Sequence, residues 1–285
     1  MHTYSKVTPF RRSSQNNANG GTVTLVGAGA GGLDCLTIGA LKSIASAEVV
    51  FYDALVTDDV LAVIPKSAIA IYTGKRCGQH ALTQSEISEL LVHWAKLGFQ
   101  VVRLKAGDPF IFGRGSEEVA ALRADGIKYR IIAGLSALNA VAANFTLPLT
   151  MRGSANEFRA IQGHHLPDDQ SYWKDLARYN GTVIIFMGSE KLQEIAGRLI
   201  KSGKDATTLL AMIETDSNGQ QSVQRGTLDH AAHGLIRREN GGPAIIYIGQ
   251  NVAFMDACPS EYNHKDDHIR TRKDDRDGIA TAYFS

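Results

Sequence analysis

The run Gly27-Ala28-Gly29-Ala30-Gly31-Gly32 carries the densest chemical signal in the chain. Gly27, Gly29 and Gly32 satisfy GxGxxG, the spacing with which a strand-to-helix turn brings bare backbone up to a pyrophosphate. Asp53 follows 21 residues after Gly32, where the acid of a dinucleotide site accepts from ribose hydroxyls. The same loop suits a different nucleotide-like cofactor, and glycine is also favoured wherever a turn passes close to a neighbouring element. The motif alone leaves all three readings open. Asp53 has a plain alternative as well: ending a strand and capping the next turn. Asp108, before Pro109, fits a turn-stabilising aspartate. His164 fits a structural histidine and Cys77 a small packing residue.

Short β-rich runs alternating with amphipathic stretches must position these residues. Val23 to Val26, Val49 to Tyr52, Ile69 to Tyr72, Val101 to Leu104 and Tyr129 to Ile132 read as strands. Leu36 to Ser46 and Glu86 to Leu97 have helical spacing, the second closed by Gly98, and a further helix runs from about Ala137 to Phe145. Ser116 is expected as an N-cap, with Glu117 and Glu118 placed for the helix dipole and Gly126 ending that helix. Such alternation predicts βαβ units and a mainly parallel sheet. A Pro and a Gly flank the extended piece Leu147 to Gly153, which marks a linker. Beyond it, Phe158 to Gln162, Thr182 to Met187, Lys191 to Ser202, Thr208 to Ile213 and Ala244 to Ile248 repeat the alternation less regularly. The expected organisation is a disordered tail over 1–21, α/β domains over 22–149 and 150–254, and a charged, disordered tail over 255–285.

Composition narrows the function classes. The 285 residues are 44% apolar and 21% charged, and 30 Lys plus Arg against 29 Asp plus Glu leave a formal charge of +1. No general pull toward nucleic acid or anionic lipid is built in, so any anion site must be local. Cys35, Cys77 and Cys258 are widely spaced without a CxxC pair, which argues against a disulfide scaffold or zinc knuckle and for a reducing cytoplasm. The longest uncharged run, Ile131 to Met151, holds too many polar residues to read as a membrane span. The opening stretch lacks an apolar h-region, so it reads as a loose tail and not a secretory signal, with a transit peptide as the alternative.

One longer motif changes the balance. Val101-Val102-Arg103-Leu104-Lys105-Ala106-Gly107-Asp108-Pro109-Phe110-Ile111-Phe112-Gly113-Arg114-Gly115 closely resembles the signature VVRLKGGDPFIFGRG of uroporphyrinogen-III C-methyltransferases, a branch of the tetrapyrrole methylase family. Supporting matches keep the family's order: Val26 to Gly29, Leu36-Thr37, Tyr52-Asp53, Gly74-Lys75-Arg76, Pro148-Leu149-Thr150 with Arg152, Gly163-His164 and Met187-Gly188. The chain departs at Ala30 to Gly32, where relatives carry a Pro and an acid, at Ala54 for an Arg, at Ala106 for a Gly, and at Met151 for a His.

The resemblance implies two α/β domains, a homodimer, and S-adenosylmethionine folded into the cleft between the domains. It implies two successive methyl transfers to uroporphyrinogen III, giving precorrin-2 for sirohaem, corrinoid or haem d1 synthesis and leaving S-adenosylhomocysteine. The stretch before Thr22 is too short for a dehydrogenase or chelatase domain. Carried onto this sequence, the cofactor contacts fall at Gly27, Gly29, Ala30, Ala106, Gly107, Asp108, Ile111, Ser136, Ala137, Met187, Thr215 and Asp216. Asp53 matches the proton acceptor and Lys75 the donor. A carboxylate of ordinary basicity cannot strip a pyrrole N–H outright, so carbon attack precedes or accompanies proton loss. The polycarboxylate substrate needs a cationic lining, for which Arg76, Arg114 and Arg152 are candidates, with His164 beside them. The competing readings are a diverged methylase paralogue with another acceptor or weak activity, and a Rossmann NAD-dependent oxidoreductase.

Overall fold

In the computed structural model, which describes residues 20–74, 82–216 and 219–256, two five-stranded sheets follow one another along the chain. The first contains β1 (Thr22–Gly27), β2 (Val49–Tyr52), β3 (Ile69–Tyr72), β4 (Gln100–Lys105) and β5 (Lys128–Ile132), all parallel, in the order β3-β2-β4-β1-β5. Its strands are apolar on both sides because helices cover both faces. On one face Val26, Val50, Val102 and Leu104 meet Ala40 and Ile44 of α1 (Ile38–Ala45) and Val60 of α2 (Asp58–Leu61). On the other, Val23, Leu25, Phe51 and Val101 meet α3 (Gln84–Lys96) through Ile87 and Leu91, and α4 (Gly115–Ala124) through Val119 and Leu122.

Local chemistry fixes where these helices begin. The Thr37 hydroxyl accepts from the Ala40 N–H, and Thr83 forms a reciprocal capping box with Glu86. Helix α4 differs from expectation. Its N-cap is Arg114 in the left-handed region, not Ser116, and the glycine on either side lets the loop close on itself, since a Cβ there would meet the Asp108 or Pro109 carbonyl oxygen at 2.7 or 2.5 Å.

The second sheet is mixed, against the expectation of mainly parallel pairing. It contains β6 (Phe158–Gln162), β7 (Thr182–Phe186), β8 (Leu209–Thr215), β9 (Gln221–Thr227) and β10 (Ala244–Ile248), in the order β6-β7-β10-β8-β9. Only β6 and β7 run parallel; the other neighbours are antiparallel. β8 and β9 are joined by a turn too short for a crossover helix, which forces antiparallel pairing. As a polar edge strand, β9 gives no hydrophobic alternation to find it by, and the sequence reading misses it. That reading also misses α2, α6 (Gln170–Arg178) and α8 (Leu228–Ala232). One face of this sheet packs on α6, α7 (Leu192–Lys201) and α8.

The other face packs on a helix that follows the first sheet. Helix α5 (Ala137–Asn144) places Val141 and Ala142, with Phe145 and Leu147 beyond it, against Ile184, Ala211, Ile245 and Tyr247. The buried Tyr247 hydroxyl lies 3.2 Å from the carbonyls of both Ala137 and Leu138. Burial pushes its pKa well up, so it stays a neutral donor.

A single carboxylate shapes the end of β8. Glu214 is buried and accepts N–H bonds from Glu239 (2.9 Å), Asn240 (3.0 Å) and Gly242 (3.1 Å). Burial alone would raise its pKa, but these donors and the nearby Arg238 charge hold it below the ordinary glutamate range. Its stabilisation is therefore complete above the unfolded-state value and is lost as pH falls through the lower folded value. Glu214→Gln sets an NH2 against one of these N–H donors and should cost about 1–3 kcal/mol at neutral pH. Urea denaturation of the two proteins at falling pH should show that gap narrowing as the parent's own carboxylate is protonated.

Candidate functional site

The ends of β1, β4 and β5 converge through backbone rather than side chains. Gly29 and Gly107 exchange hydrogen bonds, N–H to O distances being 3.2 and 2.8 Å, which ties the Gly27–Gly31 loop to the loop after β4. A Cβ on Gly134 would lie 2.1 Å from the Gly107 carbonyl oxygen, so only glycine fits there. Ser136 caps α5 by accepting from Leu138, beside Gly107 and Ala137. Chain connections leave β1 and β4 toward opposite faces, making this crevice the switch point at which open α/β sheets bind ligands. The structure thus brings together Gly27, Gly29, Ala30, Ala106, Gly107, Asp108, Ser136 and Ala137.

Asp108 is the staple of this crossing. Its Oδ1 accepts from the Phe110 N–H at 2.8 Å and its Oδ2 from the Gly134 N–H at 3.1 Å. Both oxygens have backbone donors, the geometry of the turn-stabilising reading.

From there the loop 109–114 reaches the second half of the chain. Phe112 packs at a tilt against Phe186 with ring centroids 4.8 Å apart, and the chain neighbours of this pair, Ile111 and Met187, are both partly exposed. Phe112, Arg114 and Met187 all have positive φ, near 50–60°, a conformation that costs non-glycine residues about 1–3 kcal/mol and clusters at ligand clamps. Gly163 presses on Gly188, where a Cβ would sit 2.4 Å from the Gly188 Cα, so the exposed His164 flanks the same strand ends. β10 starts between the ends of β7 and β8, so Met187 and Thr215 leave the sheet at one edge. Thr215 donates to Pro243, and Asp216 accepts from the Gln220 N–H.

The proposed substrate arginines are less gathered. Arg114 is exposed and its guanidinium forks onto Glu117, at 2.8 and 2.7 Å. Arg152 is exposed in the turn between Met151 and Ala155. Lys75, Arg76 and Cys77 lie outside the described residues.

Asp53 is not beside the glycine loop. β4 separates β2 from β1, putting Asp53 two strand spacings, about 10 Å, from β1, where a ribose acid would stand on the strand directly next to it. This strand order removes the dinucleotide reading. Asp53 instead joins charges that the sequence reading passed over. Its Oδ1 pairs with Arg103, which also donates to Glu118 (3.0 Å) and Thr73 (3.0 Å); Lys105 donates to Glu118 (3.0 Å). Burial and the Arg103 charge push the Lys105 ammonium below its usual range, with Glu118 and Asp53 opposing. Two patterns could have exposed this cluster. Arg103 and Lys105 interrupt a strand buried on both faces, and Glu118 shares a helical stripe with Gly115, Val119 and Leu122.

Comparison with known proteins completes the picture. The family described as Tetrapyrrole (Corrin/Porphyrin) Methylases matches residues 22–232. The chain belongs to the tetrapyrrole methylase family. It is 40% identical over 241 residues to a siroheme synthase of Actinobacillus pleuropneumoniae, covering 84% of this chain and 49% of that protein. It is 43% identical over 233 residues to siroheme synthase 1 of Pectobacterium atrosepticum, covering 81% and 48%. The chain therefore spans about half the length of these curated relatives. The uroporphyrin-III C-methyl transferase of Thermus thermophilus, solved with S-adenyl homocysteine, superposes with a TM-score of 0.70 at 34% identity, covering 81% of this chain and 99% of that one. A cobalt precorrin-4 methyltransferase shares the fold, with a TM-score of 0.70 at 23% identity. Among the described residues, no helix of this methylase is long and apolar enough to cross a membrane.

Asp108→Asn offers a test of the crossing itself. It places an NH2 against one of the two backbone donors and should lower unfolding free energy by about 1–3 kcal/mol in denaturant titration, with or without any ligand.

Proposed function

We propose that this methylase transfers methyl groups from S-adenosylmethionine to uroporphyrinogen III, twice in succession, giving precorrin-2. The observation that carries the reading is the strand order β3-β2-β4-β1-β5, which sets a glycine cradle and a partly exposed carboxylate on either side of the end of β4. The likeness to the Thermus thermophilus enzyme supports the substrate, and the siroheme synthases support the branch.

The cradle fits the methyl donor in a measurable respect. Gly107 has φ 65°, and a Cβ there would meet nothing closer than 3.9 Å, so its backbone faces open space that a ligand can enter. Gly27, Ala106, Gly107 and Ala137 would hold the adenosine and amino-acid parts, with Ile111 and Met187 excluding water and Thr215 and Asp216 at the far edge. S-adenosylmethionine supplies a methyl group on a sulfonium, ready for in-line displacement. The protein's tasks are alignment, dryness and proton removal. As the pyrrole carbon takes the methyl group, the ring N–H becomes acidic, and Asp53 receives that proton. Arg114 binds a substrate carboxylate in place of, or together with, Glu117, and Arg76, Arg152 and His164 complete the lining.

The test is incubation with uroporphyrinogen III and S-adenosylmethionine, following loss of the donor and appearance of a twice-methylated product. Asp53→Asn should leave S-adenosylhomocysteine binding within about threefold by calorimetry while lowering methyl transfer about 10²-fold or more, the scale for a general base. Retained turnover would leave proton removal to water or Lys75. Arg114→Ala should raise the substrate KM about ten- to a hundredfold, the worth of one charge-assisted bond, with S-adenosylhomocysteine affinity unchanged. An equal loss of cofactor affinity would place Arg114 on the wrong ligand.

A further inference from the structure

Arg103 is almost wholly buried, yet none of the chemistry above uses it. Each nitrogen of its planar guanidinium serves a different element: Nε donates to Glu118 on α4, Nη1 to Thr73 after β3, and Nη2 to Asp53 after β2. Thr73 Oγ1 also lies 3.2 Å from Asp53 Oδ1 and 2.9 Å from the Tyr52 carbonyl, so its one proton is shared between two acceptors while the hydroxyl packs beside Oδ1 and Arg103. Among the described residues, the other carboxylate oxygen, Oδ2, has Lys105 Nζ as its one charged neighbour, at 3.9 Å. The Asp53 side chain is 31% exposed, against 2% for Arg103 and 0% for Glu118, so among these three described residues the cluster opens outward at Asp53.

Charge explains the rest of the cluster. Arg103 and Lys105 are two buried cations, which would be costly without anions beside them. Glu118 answers from the closed side, its Oε1 accepting from Arg103, Lys105 and Gln84. Its Oε2 is buried without a hydrogen-bond partner among the described residues, so all of its bonding is concentrated on Oε1.

We propose that Arg103, anchored by Glu118 and assisted by Thr73, is a positioning residue that holds Asp53 by Oδ1 and presents Oδ2 as the atom that takes the acceptor's proton. In that step the pyrrole N–H bond breaks, its electron pair stays on the ring, and a new O–H bond forms at Oδ2. The inference rests on the reading of Asp53 as the proton acceptor. Lysine cannot replace the fork, because an ammonium is a point charge that cannot hold three partners in one plane.

The experiment compares the parent with Arg103→Lys, Thr73→Val, Asp53→Asn, and each of the first two combined with Asp53→Asn. It measures kcat and KM for uroporphyrinogen III and affinity for S-adenosylhomocysteine. Arg103→Lys should lower kcat about tenfold or more, and Thr73→Val, nearly isosteric, about three- to tenfold. KM and S-adenosylhomocysteine affinity should stay within about threefold, and both losses should vanish in the Asp53→Asn background, since coupled residues are non-additive. Parent-like kcat in both single variants, with Asp53→Asn impaired, would overturn the positioning role alone, as would equal losses in both backgrounds. Full turnover by Asp53→Asn would instead overturn the reading of Asp53. Should Arg103→Lys not fold, Thr73→Val decides by the same criteria.

Discussion

The ends of β1, β4 and β5 meet only because no side chain stands between them. The Gly107 carbonyl oxygen occupies the space of a Gly134 Cβ, and Gly134 in turn lies against Gly27. With the backbones that close, Gly29 and Gly107 can bond to each other and Asp108 can span from its own loop to Gly134. The crossing fixes where β4 ends, and everything with chemical potential in the first half is measured from that point: the open backbone of Gly107 on one side and Asp53 on the other.

Fixing the end of β4 also fixes two charges. Strand periodicity turns Arg103 and Lys105 to the same face as Val101, the face covered by α3 and α4. A parallel sheet covered on both sides has no solvent-facing side on which to place them. The fold meets this with Glu118 and Asp53, giving a cluster of balanced formal charge that opens outward at Asp53. Such a cluster adds little net stability compared with apolar packing, while removal of one member leaves an uncompensated charge. Its value lies in orientation.

The two halves are joined by unlike contacts. Helix α5 follows the first sheet in sequence but packs on the second, with the Tyr247 hydroxyl at its first turn, so the connection is a shared core and not a bare linker. The loop carrying Ile111 and Phe112 meets the other half through the Phe112–Phe186 pair, with positive φ at Phe112 and at Met187 beside Phe186.

The sequence by itself determined the alternation of strands and helices in the first half, the strands at Val49–Tyr52, Ile69–Tyr72, Phe158–Gln162 and Ala244–Ile248, and the family, because periodicity and an uninterrupted motif are local properties. It could not give the polar edge strand β9, which has no apolar face, or the mixed pairing of the second sheet. Nor could it decide between a ribose-binding and a proton-accepting Asp53, since both need the same acid at the same spacing. Only the tertiary structure removed the ribose-binding reading, by inserting β4 between β1 and β2. The same insertion made partners of Asp53, Thr73, Arg103 and Glu118, whose juxtaposition arises from strand order, a long-range outcome of packing that no local spacing encodes.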